Sequence, residues 1–115
     1  MRDFRELDFW RRAHQLALDV YRATDTLPKS EVFGITVQLR RAAITIPTRI
    51  AEGCGRDGDA EFTVSLHKAR AAASELEYLV LLCRDLGYIP EQLHDQLSKD
   101  VVTVRKMMSG FLKQL

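Results

Sequence analysis

The side chains with the clearest chemical potential in this sequence are arginines on one predicted helix. Every charged side chain in segment 32–51 is an arginine. On a helical projection Arg41 and Arg49 share one polar arc, and Arg56 continues it if the helix persists. Because guanidinium groups bind phosphates, the arc predicts a nucleic-acid-binding surface that contacts the backbone rather than reading the sequence. The alternative is a solvated helix face on which Arg41 or Arg49 pairs with Glu52 or another neighbour.

Other reactive side chains give weaker patterns. Glu91 and His94 form one Glu-x-x-His motif, whereas di-iron bundles need two such motifs and two further inward glutamates. Cys54 lies in a glycine-rich joint without a histidine nearby in the sequence, and Cys83 falls on a predicted core seam. We therefore expect no catalytic residue, no metal site and no cofactor.

The composition is that of one folded domain. The chain has 115 residues, of which 46% are hydrophobic and 29% charged, with a formal net charge of +1. These values exclude a disordered chain and a uniformly basic nucleic-acid coat, but not a local basic patch. Two cysteines are too few for the disulfide framework of a small secreted domain. No signal peptide is visible, and no apolar run reaches the about 20 residues that a membrane-spanning helix needs. We expect a single domain over residues 1–115, located in the cytoplasm with reduced thiols and no membrane contact.

Glycines and prolines divide the sequence into four segments with helical periodicity and no strand-like alternation. The predicted helices run from Asp8 to Thr24, from Ser30 to Gly53, from Asp59 to Leu86, and from Pro90 onward, with Asp8 and Ser30 as caps of the first two. The third has a core seam at heptad spacing, namely Phe62, Leu66, Ala69, Ala73, Leu76, Val80 and Cys83. Short joints favour antiparallel neighbours, so the predicted fold is all-α, an antiparallel up-down-up-down four-helix bundle.

Pro47 lies inside the second predicted helix. A proline there removes a hydrogen bond and costs about 3 kcal/mol unless the helix bends. The apolar face stays in phase on both sides of Pro47, from Ile35 to Ile50. This favours one continuous helix kinked at Pro47 over two shorter helices that meet near Ile46.

The second and third predicted helices carry more apolar surface than one small bundle can bury. One interpretation is that the additional apolar residues are scattered on the surface, as is common in soluble proteins. We predict instead that they contact other subunits of a homo-oligomer. The predicted interface residues are Phe33, Val37, Arg40, Ile44, Val64, Ala71, Tyr78 and Leu82.

Arg40 is the charged member of this predicted interface. It projects among apolar residues, where an unpaired charge is costly. Either it pairs with Glu75 or Glu77 on the third helix, within the chain or across an interface, or it lies at an edge and extends its guanidinium to water. The sequence favours neither alternative.

A distinctive block of sequence surrounds Pro47. It comprises Gln38–Pro47 and Ile50–Arg56, accompanied upstream by Leu7, Trp10, Ala13, Val20–Tyr21 and Leu27–Glu31, and downstream by Asp59–Phe62, Ser74–Glu77 and Leu86–Tyr88. This set resembles the signature of the four-helix-bundle proteins of the 23S rRNA intervening-sequence family over nearly the whole chain. Two positions depart from that pattern: Arg49 stands where the family commonly has Asn, and Ala73 where it has Gly.

The resemblance implies an antiparallel four-helix bundle that assembles as a ring-shaped homopentamer. A related branch, the accessory variability proteins of diversity-generating retroelements, resembles this bundle and binds nucleic acid and a reverse transcriptase. No enzymatic reaction is established for the family. The expected function is therefore a non-enzymatic homo-oligomer that presents a basic surface to RNA or to an RNA-bound protein. The alternative is a protein-interaction scaffold that binds no nucleic acid.

Overall fold

Four helices form nearly all of the computed structural model, which describes residues 2–115. The helices are α1 (Asp8–Thr24), α2 (Ile35–Cys54), α3 (Gly58–Asp85) and α4 (Glu91–Leu112), with short 3₁₀ turns at Phe4–Glu6 and Lys29–Glu31. No strand occurs in these residues, so the all-α prediction is confirmed. No helix in the described range combines the length and the apolar character needed to cross a membrane.

The four helices share one apolar core. α1 packs on α2, α2 on α3, α3 on α4, and α4 returns to α1, which closes the bundle. All seven residues of the predicted α3 seam are buried, because their heptad spacing keeps them on the face that the other helices cover. The largest fully buried side chains come from all four helices: Phe62, Leu16, Ile46, Ile50, Leu66, Leu76 and Met108.

The ends of the bundle are fastened by contacts between residues distant in sequence. At one end the ring of Phe111 packs edge-on against Phe9 and Phe62, with ring centroids 5.4 and 5.7 Å apart. The Arg2 guanidinium lies 4.5 Å from the centre of the Phe62 ring, and the Arg2 backbone N–H donates to the Cys54 carbonyl. These contacts fix the α2–α3 joint, where the candidate site lies.

α2 begins at Ile35, not at Ser30 as predicted. The chain first makes the 3₁₀ turn Lys29–Glu31, which leaves Ser30 exposed. The N-cap residue is Gly34, and Oε1 of Glu31 accepts a 3.4 Å hydrogen bond from the N–H of Ile35, the first residue of the helix. The predicted cap of α1 was wrong as well, since Asp8 is the first helical residue and no side chain caps this helix.

Pro47 is accommodated inside α2. The helix runs through it from Ile35 to Cys54, which excludes the alternative of two helices meeting near Ile46. Pro47 is buried, and Ile46 and Ile50 on either side are fully buried. The in-phase apolar face therefore holds α2 together across the hydrogen bond that proline cannot donate.

Candidate nucleic-acid interface

A groove between the end of α2 and the start of α3 collects charged side chains from both helices. Its volume is about 290 Å³. Arg49 and Arg56, two of the three predicted nucleic-acid-binding residues, line it together with Lys68 from α3. Two carboxylates, Glu52 and Glu61, line the same groove. We call these residues, with Val64 and Ser65, the α2–α3 groove. The groove has three cationic side chains and two acidic ones, so an anion can bind beside the cations.

The floor of the α2–α3 groove depends on Gly53. A Cβ atom on Gly53 would lie 2.7 Å from the Cβ of Ser65 and 3.0 Å from a ring carbon of Phe62, so only glycine permits this approach of the two helices. Ser65 is 7% exposed and lines the groove. Among the described residues its hydroxyl takes part in no side-chain hydrogen bond, and it is not one of the fully buried polar atoms that lack a partner. A donor that solvent can reach thus lines a groove that holds three cations and two acids.

The arginines of the predicted arc differ in their partners. Arg49 Nη1 lies 3.0 Å from Glu52 Oε1, the pair that the solvated-face alternative predicts. Arg41 and Arg56 are exposed, and neither forms an ion pair within the described part of the chain. Arg41 lies about two helical turns before Arg49 and does not line the groove. The arc therefore offers two unpaired guanidinium groups and one that is shared with a carboxylate.

Lys68 and Ser65 were missed by the sequence prediction. The polar arc was drawn on one helix, whereas these residues come from the helix packed beside it. A signal was available for Lys68, which lies one turn after Val64 and hence on the outer face of α3. No sequence signal places either residue opposite Arg49, because that register follows from the contact between Gly53 and Ser65.

A second groove, between α1 and α2, is apolar and has a volume of about 460 Å³. It contains Ile44, Pro47 and Ala51, the second apolar face of α2. Trp10 and His14 of α1 line it as well, with their rings stacked at 5.1 Å. The sequence prediction did not include residues of α1 in this apolar surface. In the structure Leu18 and Tyr21 of α1 also line this groove. We call it the α1–α2 groove.

The predicted interface residues remain uncovered by the chain itself, to different degrees. Phe33 is 93% exposed, and Ile44, Val64, Ala71 and Tyr78 are exposed as well. Val37, Arg40 and Leu82 are half-buried, and Leu82 packs partly against the core. These residues do not form one patch, because Ile44 lies in the α1–α2 groove and Val64 in the α2–α3 groove.

Arg40 is bound by the end of α1. Its Nε donates a 2.8 Å hydrogen bond to Thr24 Oγ1, and its Nη2 donates to the Asp25 carboxylate at 2.9 Å and to the Tyr21 carbonyl at 3.2 Å. The guanidinium also lies 4.6 Å from the centre of the Tyr21 ring. Arg40 is thus fixed within the chain by polar and cation–π contacts.

Within the chain, neither of the predicted counter-ions contacts Arg40, and a contact across a subunit interface stays a prediction. Glu77 pairs with Arg105 of α4 at 2.6 Å, and Glu75 is not among the partners of Arg40. The prediction of a partner on α3 within the chain was wrong because the nearest acceptors lie where α1 ends beside α2. Spacing along one helix carries no information about that contact.

The two cysteines have features of structural thiols. Both are buried and free. Burial raises the pKa of Cys54, and it raises the pKa of Cys83 to about 11. A thiol with a raised pKa stays protonated near neutral pH and is a poor nucleophile. Neither cysteine therefore supports covalent catalysis.

The motif of Glu91 and His94 acquires a third member in the fold. Ligand atoms of Glu91, His94 and Asp95 lie within 4.8 Å of one another. However, His94 Nδ1 contacts the Asp95 carboxylate at 2.9 Å, and Glu91 lies 3.4 Å from the guanidinium of Arg84. An arginine beside the cluster opposes a cation, so the arrangement is that of a hydrogen bond and an ion pair at the start of α4 rather than of a built metal centre.

Comparisons with known proteins agree with this architecture. A sequence model described as 23S rRNA-intervening sequence protein matches residues 5–110. Among solved structures, the chain is similar to a protein of unknown function from the S23 ribosomal protein family of Bacteroides thetaiotaomicron VPI-5482. The TM-score is 0.85 at 21% sequence identity, over 91% of this chain and 98% of that chain. At that identity the likeness shows the fold alone. No curated protein matches the chain.

Proposed function

Because the chain belongs to the 23S rRNA-intervening sequence protein family, a four-helix family of unknown function, we propose that it is a non-enzymatic homo-oligomer that presents a basic surface to RNA. The observation that carries the proposal is the division of α2 into two surfaces. Its apolar surface opens into the α1–α2 groove, and its cationic surface opens into the α2–α3 groove. One surface can join subunits while the other stays free for a ligand.

Self-assembly is supported by the apolar residues that a single chain leaves uncovered. Ile44 lies in a large apolar groove, and Phe33 and Tyr78 extend into solvent. Covering such residues stabilises an assembly by about 25 cal/mol per Å² of apolar surface. Because Ile44 opens into the α1–α2 groove whereas Phe33 and Tyr78 are exposed outside it, we propose a contact between unlike surfaces, which closes into a ring. Val64 lies in the α2–α3 groove and takes no part in this proposed contact. The proposed number of five subunits rests on the family resemblance.

We further propose that the four helices run up-down-up-down and that α2 bends at Pro47. The contacts of Phe111 with Phe9 and Phe62, at one end of the bundle, support this order. The bend follows from the hydrogen bond that Pro47 cannot donate.

A cytoplasmic location is proposed because the two cysteines are free and buried, as suits a reducing compartment.

RNA binding is supported by cations without partners. Arg41 and Arg56 are exposed and unpaired within residues 2–115, so their guanidinium groups can bind phosphates without first breaking an ion pair. A ring repeats this surface once per subunit, and simultaneous contacts raise the overall affinity far above that of one site. The proposed contact is with the RNA backbone, so we expect it to depend on salt rather than on sequence.

The test is a fluorescence anisotropy titration of a labelled RNA duplex at several salt concentrations. The double variant Arg41→Ala/Arg49→Ala should bind more weakly, with the slope of log affinity against log salt reduced by about 0.9 for each phosphate that the variant no longer binds. Lys99→Ala/Lys106→Ala is the charge-matched control, because both lysines are exposed on α4. An unchanged affinity and slope in the arginine variant would show that this surface does not bind RNA.

A second candidate function is a protein-interaction scaffold without nucleic-acid binding. The α1–α2 groove favours it, because an apolar groove of about 460 Å³ also suits a segment of another protein. The absorbance ratio of the purified protein separates the two candidates. Co-purified nucleic acid supports the first, and clean protein without salt-dependent RNA binding supports the second.

A further inference from the structure

We propose that the α2–α3 groove seats one backbone phosphate of RNA, with the Ser65 hydroxyl as a hydrogen-bond donor and Lys68 as a third cation beside Arg49 and Arg56. The inference rests on the proposed function and defines its contact site. It adds two residues from α3 to a surface that the sequence confined to α2. It also assigns a role to Glu52, one of the two acids that share this groove.

The first support is the state of Ser65. The residue is 7% exposed and lines the groove, and its hydroxyl takes part in none of the side-chain hydrogen bonds of the described residues. The hydroxyl is accessible from the groove, because Arg70 Nε is the one fully buried side-chain polar atom without a partner among the described residues. An acceptor held in the groove would supply a partner, and a phosphate oxygen is an acceptor that the surrounding cations attract.

The second support is the arrangement of charge. Arg49 and Arg56 approach the groove from α2 and from the joint that follows it, and Lys68 approaches from α3. Lys68 has no ion-pair partner among the described residues. Cations on two sides of a groove can contact one phosphate together, whereas cations on one helix face contact successive phosphates. This geometry predicts a defined site, or seat, for one phosphate rather than a general attraction of the surface for RNA.

The third support is the ion pair between Arg49 and Glu52. The 3.0 Å contact holds the guanidinium at the groove while no RNA is bound. A phosphate entering the groove competes with the Glu52 carboxylate for Arg49, because both are anions that accept from the same N–H groups. Glu52 therefore acts as a built-in competitor that weakens RNA binding.

Three single variants test the seat in the anisotropy titration described above. Lys68→Gln should weaken binding and reduce the salt slope by about 0.9, the value for one phosphate. Ser65→Ala should raise Kd about tenfold, the effect of removing one hydrogen bond to a charged group, with the salt slope unchanged. Glu52→Gln should lower Kd because Arg49 is released. Lys99→Gln and Ser98→Ala on α4 are the matched controls, and circular dichroism checks that each variant folds.

The outcomes separate this inference from the proposed function. If Lys68→Gln and Ser65→Ala bind as the wild type while Arg41→Ala/Arg49→Ala binds weakly, the seat is wrong and the basic surface stands. If Ser65→Ala alone has no effect, the seat is also overturned, because only diffuse attraction remains. If the wild type binds no RNA, the proposed function itself fails.

A calorimetric titration with inorganic phosphate alone distinguishes the source of the phosphate. A backbone seat predicts no measurable heat with the free anion, since the other contacts of the RNA are missing. Binding of inorganic phosphate that is abolished in Ser65→Ala would overturn the backbone assignment in favour of a site for a small anion.

Discussion

The Tyr88 hydroxyl donates a 2.8 Å hydrogen bond to Oε2 of Glu31 and so fastens the α3–α4 joint to the start of α2. The other oxygen of the same carboxylate, Oε1, accepts from the Ile35 N–H. One side chain therefore accepts from the first N–H of a helix and joins two connecting segments that lie far apart in the sequence. This contact fixes the end of the bundle opposite the α2–α3 groove.

Removal of this hydrogen bond should lower stability. Tyr88→Phe keeps the ring but deletes the donor, so we expect the melting temperature to fall by a few degrees. The matched control is Tyr78→Phe, because the Tyr78 ring is exposed on α3. Thermal unfolding followed by circular dichroism measures both variants. Equal melting temperatures for Tyr88→Phe and Tyr78→Phe would contradict the role given to the contact.

Stability should decline at alkaline pH because of Cys83. Burial raises the pKa of this thiol from 9.0 to about 11 in the folded protein. A folded-state pKa above the unfolded value means that the stabilisation is complete below pH 9 and is lost as the pH rises through about 11. Urea unfolding across this range should show the decline, and Cys83→Ala should flatten it. An equally steep decline in Cys83→Ala would assign it to other groups.

Tyr88 should contribute to the same alkaline decline. The hydrogen bond to Glu31 and the negative charge of that carboxylate raise the pKa of Tyr88 above 10.0. Its contribution is therefore present below the unfolded pKa and is lost above it. Spectrophotometric titration of the tyrosines should show one group that ionises later than the others in the wild type. That late step should be absent from Tyr88→Phe, and its persistence in this variant would contradict the assignment to Tyr88.

Gly53 should tolerate no larger side chain. Gly53→Ala places a Cβ atom 2.7 Å from that of Ser65, so we expect a loss of about 1–3 kcal/mol in the free energy of unfolding. Gly110→Ala is the control on α4, where an added Cβ meets nothing within 4 Å. It should stabilise the protein by about 0.5–1 kcal/mol. Urea unfolding compares the two, and a neutral Gly53→Ala would mean that α2 and α3 can separate at this point.

Arg40 should stabilise the chain through its part-buried hydrogen bond to Thr24 more than through its surface charge pair with Asp25. Arg40→Met keeps the aliphatic stem but removes the bonds to Thr24, Asp25 and the Tyr21 carbonyl, so we expect a loss of about 1–3 kcal/mol. Asp25→Asn should change stability by less than about 1 kcal/mol, because that carboxylate is exposed. Urea unfolding tests both. A larger loss in Asp25→Asn than in Arg40→Met would reverse this assignment.

Features repeated along one helix were predictable from the sequence. The bounds of α1 and the buried seam of α3 follow from apolar spacing, since each residue is judged against neighbours on its own helix. The start of α2 was not predictable in this way. It depends on Glu31 reaching forward to Ile35 and on Tyr88 approaching from a joint much later in the chain.

The candidate site was predictable only in part for the same reason. Spacing placed Arg41 and Arg49 on one arc of α2, but it could not supply Lys68 and Ser65 from the neighbouring helix. Their position opposite Arg49 follows from the close packing at Gly53. The partners of Arg40 were missed because they are contributed by the end of another helix. Contacts between helices require the packed structure.

The central claim is an assembly of copies of this chain that binds RNA, and native mass spectrometry tests it most directly. The purified protein is mixed with an RNA duplex and measured at low and at high ammonium acetate concentration. We expect a mass of five chains at both concentrations, with RNA bound at low salt and released at high salt. The mass of a single chain at micromolar protein concentration, without bound RNA at low salt, would contradict the account.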